Sequence, residues 1–593
     1  MSETVPAATA TGASTTLQPL GLRRGTSGPG ASEPAPSQWH RGMTLLAVIS
    51  MFIGTRSLWT KAIVIHPVLG GVISLCYAAI LILGISALVV RRRKALVRAD
   101  LAVLLVALTL TTCRYILDHG NGDESVLAAQ ATHELLHGHL VYGQSWPWIF
   151  QQMHVGTTHT MAGGTDYSFG YPPLAILLTA PVYAVIGTNA VTLVTTTALL
   201  IGTVALWALL PTPWRSAATM VCLGFQMLPS YAGLGYPAII SLVLLIPVVV
   251  RWTGVGSGGR LSRPDILRAV CLGAACAAQQ LPWFLAPFLV AGIYAVRRGE
   301  LPARAALVIL ARFTGIAVLT WFAINAYFIV QSPRDWLSGI LLPLTQHAVL
   351  HGQGLMGISY YFTEGSSRLD FYSYGSTLLA IGLLAVFVVF VRRLGPAATV
   401  LPWCAFYLAT RSQDGYYLMM TPLWLAAAAT VPSSVFASAW QPRLPFPRRR
   451  TVNATLATAM LAPAAVCSAV AAASSPPLHL TIERVQTNAQ GITSVTLEAA
   501  NTTGTTLTPN FAVSNGVGAT GYWIIRTGPT VLGPHHSAHY DLTPNSRVFK
   551  LPKSHAHLRI RLRVFTDAPM TVSSADLPLP KTGAKTAAKT GLG

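Results

Sequence analysis

The chain has 593 residues, of which 52% are hydrophobic and only 10% are charged. This composition excludes an ordinary soluble protein of this length, and several apolar runs long enough to span a bilayer predict a polytopic α-helical membrane protein. The net charge of +21 lies in short basic clusters beside apolar runs, such as 91–94 and 448–450. Such clusters are typical of cytoplasmic loops, so the charge argues against a nucleic-acid partner.

The first 120 residues predict a tail followed by three membrane helices. Residues 1–40 are rich in Ser, Thr, Pro, Gly and Ala, which predicts a disordered cytoplasmic tail. Crossings follow near 43–64 and 68–90, and the basic cluster after them fixes the cytoplasmic side. The next apolar run, 100–117, therefore leads outward and delivers Asp118 to the outer face.

The rest of the chain predicts two long outer loops, 118–170 and 331–373, and an interfacial Pro-rich helix, 172–187. Further crossings are expected near 189–210, 216–231, 237–251, 267–281, 283–296, 305–330, 374–391, 396–410, 416–434 and 452–473. The result is a transmembrane domain over 41–475 with about thirteen crossings and a cytoplasmic N-terminus in the plasma (inner) membrane.

After residue 475 the pattern changes from long apolar runs to alternating apolar and polar residues. Segments such as LHLTIERV and HLRIRLRVF predict an extracytoplasmic β-sandwich over 476–579. Within it, Trp523 has two interpretations, a core residue or a platform on which a sugar stacks. The Lys-rich end, 580–593, predicts a second disordered tail.

Acidic residues are scarce, yet Asp118, Asp123, Glu124 and Glu134 are crowded just after the third crossing. Charge at the mouth of a membrane helix is costly unless it is solvated or used, so this segment is the candidate site. Apolar residues after Asp123 recur at helical spacing, which predicts a short amphipathic helix with Asp123 and Glu124 in its first turn. Two interpretations stay open: a helix cap in a solvated loop, or a catalytic carboxylate.

The same segment carries a resemblance to a known family. Asp123-Glu124, Ala-x-x-Ala at 128–131, the Leu-Leu-His-Gly that ends at Gly138, and Tyr142 resemble the first outer loop of the GT-C membrane glycosyltransferases. These include the protein O-mannosyltransferases and the aminoarabinose transferases of lipid A. The resemblance covers about residues 95–435.

Two further landmarks extend the resemblance. Tyr171-Pro172-Pro173-Leu174 is similar to a Pro-Pro-Leu helix that lies near the site in this family. Gln279-Gln280-Leu281-Pro282 is similar to a third landmark, although many relatives have a Lys before the Pro. Tyr171 and Gln280 are therefore candidate substrate-binding residues.

The resemblance implies transfer of a sugar, such as mannose or arabinofuranose, from a polyprenyl-phosphate donor to a glycan, lipid or protein acceptor outside the membrane. A carboxylate must take a proton from the acceptor hydroxyl, and we expect Asp123 to do so, with Asp118 as the reserve and Glu124 beside it. A base opposite the leaving group implies inversion. Asp166 either orients the acceptor or is a plain loop acid.

A cation must hold the phosphate that leaves. Arg411 is the first candidate because it lies in a short outer turn between two predicted crossings; an interfacial anchor is the alternative. Arg114, one turn before Asp118, is the second candidate, and it has the alternative of snorkelling outward.

A second function comes from His133-Glu134-Leu135-Leu136-His137, which has the H-E-x-x-H spacing of zinc peptidases. The longer form of that motif fails, because Leu140 stands where a Gly is expected. A zinc-dependent membrane peptidase is thus an alternative, as is a non-catalytic transporter or scaffold of envelope assembly. Transport is disfavoured because we expect every acid to lie in a loop, a tail, the β domain or at a helix end. No cofactor is predicted, and a divalent metal ion stays open.

Overall fold

The N-terminal part consists of four helices: α1 (Gln38–Thr55), α2 (Leu58–Ile65), α3 (Pro67–Val89) and α4 (Arg93–Leu117). The structure is a computed structural model that describes residues 35–120, 122–443, 445, 450–514, 521–551 and 559–579. The predicted tail over 580–593 and residues 1–34 of the predicted N-terminal tail lie outside the described residues. The helical part begins at Gln38, slightly before the expected boundary.

The first predicted crossing corresponds to the pair α1 and α2, which are bent by 49° relative to each other. The break falls at Arg56 and Ser57, where a charge interrupts the apolar run. α4 begins well before residue 100, so Asp100 lies inside the helix and is fully buried. It contacts His40 Nε2 at 2.6 Å and accepts from Thr44 Oγ1 at 2.7 Å. The expectation that every acid lies in a loop or at a helix end is therefore wrong for Asp100.

The remaining helices follow in chain order. They are α5 (Asp123–Leu136), α6 (Pro147–Met153), α7 (Leu174–Ile186), α8 (Ala190–Leu209), α9 (Arg215–Thr219), α10 (Met227–Gly233), α11 (Pro237–Val249), α12 (Arg263–Ala278), α13 (Leu281–Glu300), α14 (Ala303–Gln331), α15 (Pro333–Thr345), α16 (Asp370–Val389), α17 (Val391–Leu394), α18 (Asp414–Leu418), α19 (Thr421–Thr430) and α20 (Arg450–Ala473).

Six helical segments in the described part of the chain are long and apolar enough to cross a membrane, or seven if α1 and α2 form one span. They are Pro67–Val89, Arg93–Leu117, Leu174–Leu209, Ala303–Gln331, Asp370–Val389 and Arg450–Ala473. The chain is thus a mostly helical protein with the character of a membrane protein. Other predicted crossings are short or broken: a π-helical turn, Met220–Gly224, separates α9 from α10, and Leu401–Leu408 is a 3-10 helix. The prediction of about thirteen crossings stays a prediction.

The β domain follows α20. Its strands are β6 (Leu478–Asn488), β7 (Gly491–Asn501), β8 (Asn510–Ser514), β9 (Ile524–Thr527), β10 (Ser537–Thr543), β11 (Phe549–Lys550), β12 (Arg561–Thr566) and β13 (Thr571–Asp576). One sheet has the order β11-β7-β10-β9, with β6 also paired to β7, and the other contains β13-β12-β8. Leu497 and Tyr540 of the first sheet and Phe511 and Val564 of the second share one apolar core. Trp523 belongs to this core and is 5% exposed, which decides against its role as an open sugar platform.

Five two-residue strands lie in the loops between helices: β1 (Thr158–His159), β2 (Thr165–Asp166), β3 (His351–Gly352), β4 (Gly365–Ser366) and β5 (Arg411–Ser412). β1 and β2 form a hairpin, β3 pairs in parallel with β5, and β4 joins the second sheet of the β domain beside β13. A bridge between Thr160 and Ala348 links the two predicted outer loops. Together with the pairings of β3 and β4, it brings these loops, the turn at residue 411 and the β domain to one place.

Candidate functional site

The first turn of α5 holds Asp123 and Glu124, as the sequence predicts. The N–H of Gly122 donates to the Ser125 hydroxyl at 2.9 Å, and this hydroxyl donates to the Gly122 carbonyl at 2.9 Å. The exchange fixes the start of the helix, where free N–H groups and the macrodipole favour negative charge. Asp123 Oδ1 accepts from the N–H of Glu124 at 2.9 Å. One carboxylate oxygen of Asp123 is thereby held by the helix itself.

The hairpin β1–β2 covers the other oxygen of Asp123. Thr158 Oγ1 donates to Asp123 Oδ2 at 3.2 Å, and Thr158 lies opposite Asp166 in the hairpin. Burial raises the pKa of Asp166, and the charge of Asp123 adds to this effect. The Ser168 N–H, which donates to Asp166 Oδ1 at 3.0 Å, and the charge of Arg411 oppose it. Asp166 is therefore electrostatically coupled to both Asp123 and Arg411.

Arg411 is the cation of the site. Strand β5 carries it, and parallel pairing with β3 sets it opposite His351. Burial acts to lower the pKa of Arg411, but the phenols of Tyr416 and Tyr171 and the two acids of α5 outweigh burial, so the pKa is raised. Arg411 Nε is buried and has no hydrogen-bond partner among the described residues. Because an unpaired buried donor is costly, this nitrogen suits a ligand with anionic oxygens.

Glu124 follows Asp123 in the first turn of α5, and its side chain is half-buried. Burial and the charge of Asp123 raise the pKa of Glu124 to about 8, against a hydrogen bond from Tyr171 and the charge of Arg411, which act to lower it. The Tyr171 carbonyl accepts from the Tyr142 hydroxyl at 2.7 Å, so Tyr142 fixes the backbone that presents Tyr171. At neutral pH the pair of acids thus carries a proton on Glu124.

A cavity of about 260 Å³ opens between Asp123 and Arg411. This volume is just below the roughly 300 Å³ at which small-molecule pockets usually begin. Its walls come from four distant parts of the chain: Asp123 and residues 157–159, residues 349–351, Arg411 and Gln413, and Ala512, Tyr522 and Phe565 of the β domain. A carboxylate with two held oxygens therefore faces a guanidinium across a partly enclosed space.

The structure brings together five of the eight predicted site residues: Asp123, Glu124, Asp166, Tyr171 and Arg411. Asp123 and Arg411 line the cavity, and the other three stand behind them in hydrogen-bond or electrostatic contact.

The other three predicted site residues, Asp118, Arg114 and Gln280, do not line the cavity. Asp118 Oδ2 forms an ion pair with Lys61 Nζ at 2.6 Å, and both side chains are about half exposed, at 48% and 47%. Arg114 Nη2 donates to Ser230 Oγ at 2.6 Å. Gln280 is buried, and its Nε2 donates to the carbonyls of Gly170 and Ile340, each at 2.8 Å. Gln280 thus ties the segment before Tyr171 to α15.

The H-E-x-x-H segment lies on α5, away from the cavity walls. His133 and His137 have ring centroids 4.2 Å apart, so they share a face as expected. Glu134 is occupied by Gln130 Nε2 at 2.6 Å and by His139 Nδ1 at 2.7 Å. Across the described ranges, no three His, Cys, Asp or Glu side chains come together in a way that could hold a metal ion. The structure therefore supplies no third ligand to His133 and His137 from those residues.

Sequence reasoning missed several members of the site. Tyr236 stands beside the acids of α5, and burial, with the charges of Glu124 and Asp123, raises its pKa. The sequence contains a pattern that could have identified Tyr236, because Tyr236-Pro237 at the start of α11 repeats the Tyr-Pro pair at 171–172. His351 and Tyr522 had no such signal, because the first lies in a loop without a motif and the second between strands.

In comparisons with known proteins, no family model matches this chain, and no curated protein or solved structure is significantly similar to it. The glycosyltransferase resemblance stays a prediction, and the case for a function rests on the geometry of the site.

Proposed function

We propose that this chain is an integral membrane glycosyltransferase of the GT-C type. It moves a sugar from a polyprenyl-phosphate donor to a cell-envelope acceptor on the extracytoplasmic face, with inversion at the anomeric carbon. One observation carries the proposal: Asp123 and Arg411, from distant parts of the chain, face each other across one cavity. The reaction needs these two groups, a base for the acceptor and a cation for the phosphate.

In the proposed reaction, Asp123 accepts the proton of an acceptor hydroxyl as that oxygen attacks the anomeric carbon. The bond from the anomeric carbon to the phosphate oxygen breaks, and the polyprenyl phosphate leaves with the bonding electrons. Arg411 stabilises the charge that develops on this phosphate, and its unpaired buried Nε supports that role. Attack from the face opposite the leaving group inverts the configuration, as in inverting glycosidases.

Three residues next to the cavity wall assist Asp123 and Arg411. With its pKa raised to about 8, Glu124 keeps its proton at neutral pH. A protonated Glu124 adds no negative charge that would weaken the attraction between Arg411 and the phosphate. Tyr171 donates a hydrogen bond to Glu124 and holds it in place. Asp166, coupled to Asp123 and Arg411, orients the acceptor in this proposal.

We further propose that the chain crosses the plasma (inner) membrane about thirteen times, with the N-terminus in the cytoplasm and the β domain outside. Support comes from the basic clusters at 91–94 and 448–450, which the positive-inside rule assigns to the cytoplasm. With this orientation, both long loops and the cavity lie on the extracytoplasmic side.

The test uses the purified full-length protein in detergent, radiolabelled polyprenyl-phosphate mannose or arabinofuranose, and a cell-envelope extract as acceptor. Asp123→Asn is isosteric but removes the base, and we expect a loss of transfer of about 10²- to 10⁴-fold. Asp118→Asn is the matched control, because this acid occurs in an exposed ion pair nearby. His137→Ala tests the alternative and is expected to keep activity. Wild-type protein that transfers from neither donor, together with stoichiometric zinc that His137→Ala loses, would overturn the proposal.

A further inference from the structure

Tyr522 is the aromatic residue that the β domain presents to the cavity. It lies between β8 and β9 and is half-buried, next to the buried core residue Trp523. The Tyr522 ring contacts His159 and Phe565 at steep angles, with centroids 5.7 and 6.3 Å away. No flat stack onto this ring occurs among the described residues. The ring therefore borders the cavity without a parallel partner of its own.

The β domain is held firmly on the outer loops, so Tyr522 has a fixed position. Its hydroxyl donates to the Thr160 carbonyl at 2.6 Å, beside the hairpin that holds Asp123. Asn510 Nδ2 donates to the Met161 carbonyl at 3.1 Å, and His347 Nδ1 contacts Asp567 Oδ1 at 2.6 Å. The wall that carries Tyr522 is thereby tied to both predicted outer loops.

Apart from Asp123 and Arg411, the residues in the described part of the chain that line the cavity have no acidic, Lys or Arg side chain and include several hydrogen-bonding groups. Burial lowers the pKa of His159, and burial with the charge of Arg411 lowers the pKa of His351, which favours the neutral form of both imidazoles. Thr157 and Gln413 add a hydroxyl and an amide. Arg411 is the only Lys or Arg among the described residues that line the cavity.

We propose that the β domain builds the acceptor subsite and that the acceptor is a saccharide, whose ring packs against Tyr522 and directs one hydroxyl toward Asp123. This inference rests on the proposed transferase function. Sugar rings have C–H faces that pack on the negative face of an aromatic ring, and hydroxyls that pair with amides, imidazoles and threonines. A cavity of about 260 Å³ suits a small ligand such as a single sugar ring.

The experiment compares full-length wild type with three variants, using octyl mannoside and octyl arabinofuranoside as saccharide acceptors and a Ser/Thr-rich peptide as the other class. Tyr522→Leu keeps bulk but removes the ring, and we expect its acceptor KM to rise about tenfold or more, with donor affinity unchanged. Tyr522→Phe keeps the ring but loses the hydrogen bond to Thr160, so we expect its acceptor KM to lie between those of wild type and Tyr522→Leu. Asn510→Ala weakens docking without touching the cavity, and is expected to retain the wild-type KM.

Several outcomes would overturn this inference and leave the transferase intact. One is transfer by the wild-type protein to the peptide but to neither glycoside. This outcome does not depend on whether any variant folds. Another is an acceptor KM within twofold of wild type in Tyr522→Leu. A third is an equal rise in KM for Asn510→Ala, which would assign the effect to docking. Wild-type protein that neither binds nor consumes the donor is a different result, because it removes the proposed function as well.

Discussion

Two neighbouring helix ends carry Asp118, Asp123 and Glu124, and they differ in what surrounds them. At the end of α4, Asp118 pairs with Lys61, and both side chains are about half exposed to solvent. At the start of α5, Asp123 faces Arg411 across a partly enclosed cavity, with the half-buried Glu124 next to Asp123. Charge at a membrane helix end therefore does not identify a site by itself. Enclosure by distant segments of the chain distinguishes the two.

The largest expected effect concerns Arg411, the cation that faces the start of α5, which we call the enclosed end. Replacing Arg411 with Gln removes the charge that balances the leaving phosphate, and we expect kcat/KM to fall about 10²- to 10³-fold. Arg411→Lys keeps the charge but loses the planar fork, so its activity should lie between those of wild type and Arg411→Gln. Steady-state transfer assays and donor-binding titrations measure both effects.

Arg114→Gln is the matched control at the exposed end, because it loses the hydrogen bond to Ser230 and the attraction to Asp118, and Arg114 does not line the cavity. We expect transfer within about threefold of wild type, as for other substitutions away from a reacting group. Equal losses in Arg114→Gln and Arg411→Gln would remove the distinction between the two ends.

The second effect is a pH dependence that only the enclosed end should produce. The pKa of Glu124 is about 8 in the folded protein against an ordinary value of 4.5. The folded state therefore binds this proton more tightly, and its stability falls as pH rises from 4.5 to about 8 before levelling off. Each pKa unit corresponds to about 1.4 kcal/mol, so the total is a few kcal/mol.

Thermal unfolding in detergent from about pH 5 to about pH 9 measures this dependence. Glu124→Gln should flatten the fall in the unfolding midpoint, because an amide has no proton to lose. It should also keep transfer near neutral pH, because Gln resembles the protonated carboxyl. A wild-type midpoint that rises over this range in comparison with the variant would contradict the assignment.

The smallest effect belongs to the exposed end. A double-mutant cycle with Lys61→Met and Asp118→Asn should give a coupling free energy below about 1 kcal/mol, because solvent screens an exposed ion pair. Added salt should reduce the coupling further. Neither variant is expected to change transfer. Loss of transfer in Asp118→Asn alone would instead move the base to the end of α4.

The features that could be predicted from the sequence are those that depend on patterns within a single segment. The apolar run at 68–90 corresponds to α3, Pro67–Val89, and the alternation in ITSVTLEA corresponds to β7. The helical spacing after Asp123 placed both acids in the first turn of α5. Each of these signals depends on a period of two or 3.6 residues, which a single segment displays.

The features that could not be predicted depend on pairing between distant segments. β3 and β5 are two residues long and show no periodicity, yet their parallel pairing sets His351 beside Arg411. Gln280 was expected to contact substrate, but it does not line the cavity, and its Nε2 donates to the carbonyls of Gly170 and Ile340. Tyr522 follows no motif, and only the docking of the β domain brings it to Asp123.

The strand β4 has a consequence for how the chain assembles. Gly365 and Ser366 come from the segment before α16, yet they form the edge of a sheet whose other strands follow α20. β4 is therefore synthesised before the other strands of its sheet. It can pair with β13 only after the intervening helices have been synthesised. Without β4, the outer edge of β13 would present unpaired N–H and C=O groups, which invite aggregation. The helical part thus supplies an edge strand to the β domain, and separating the two by truncation would leave the β domain with an open edge.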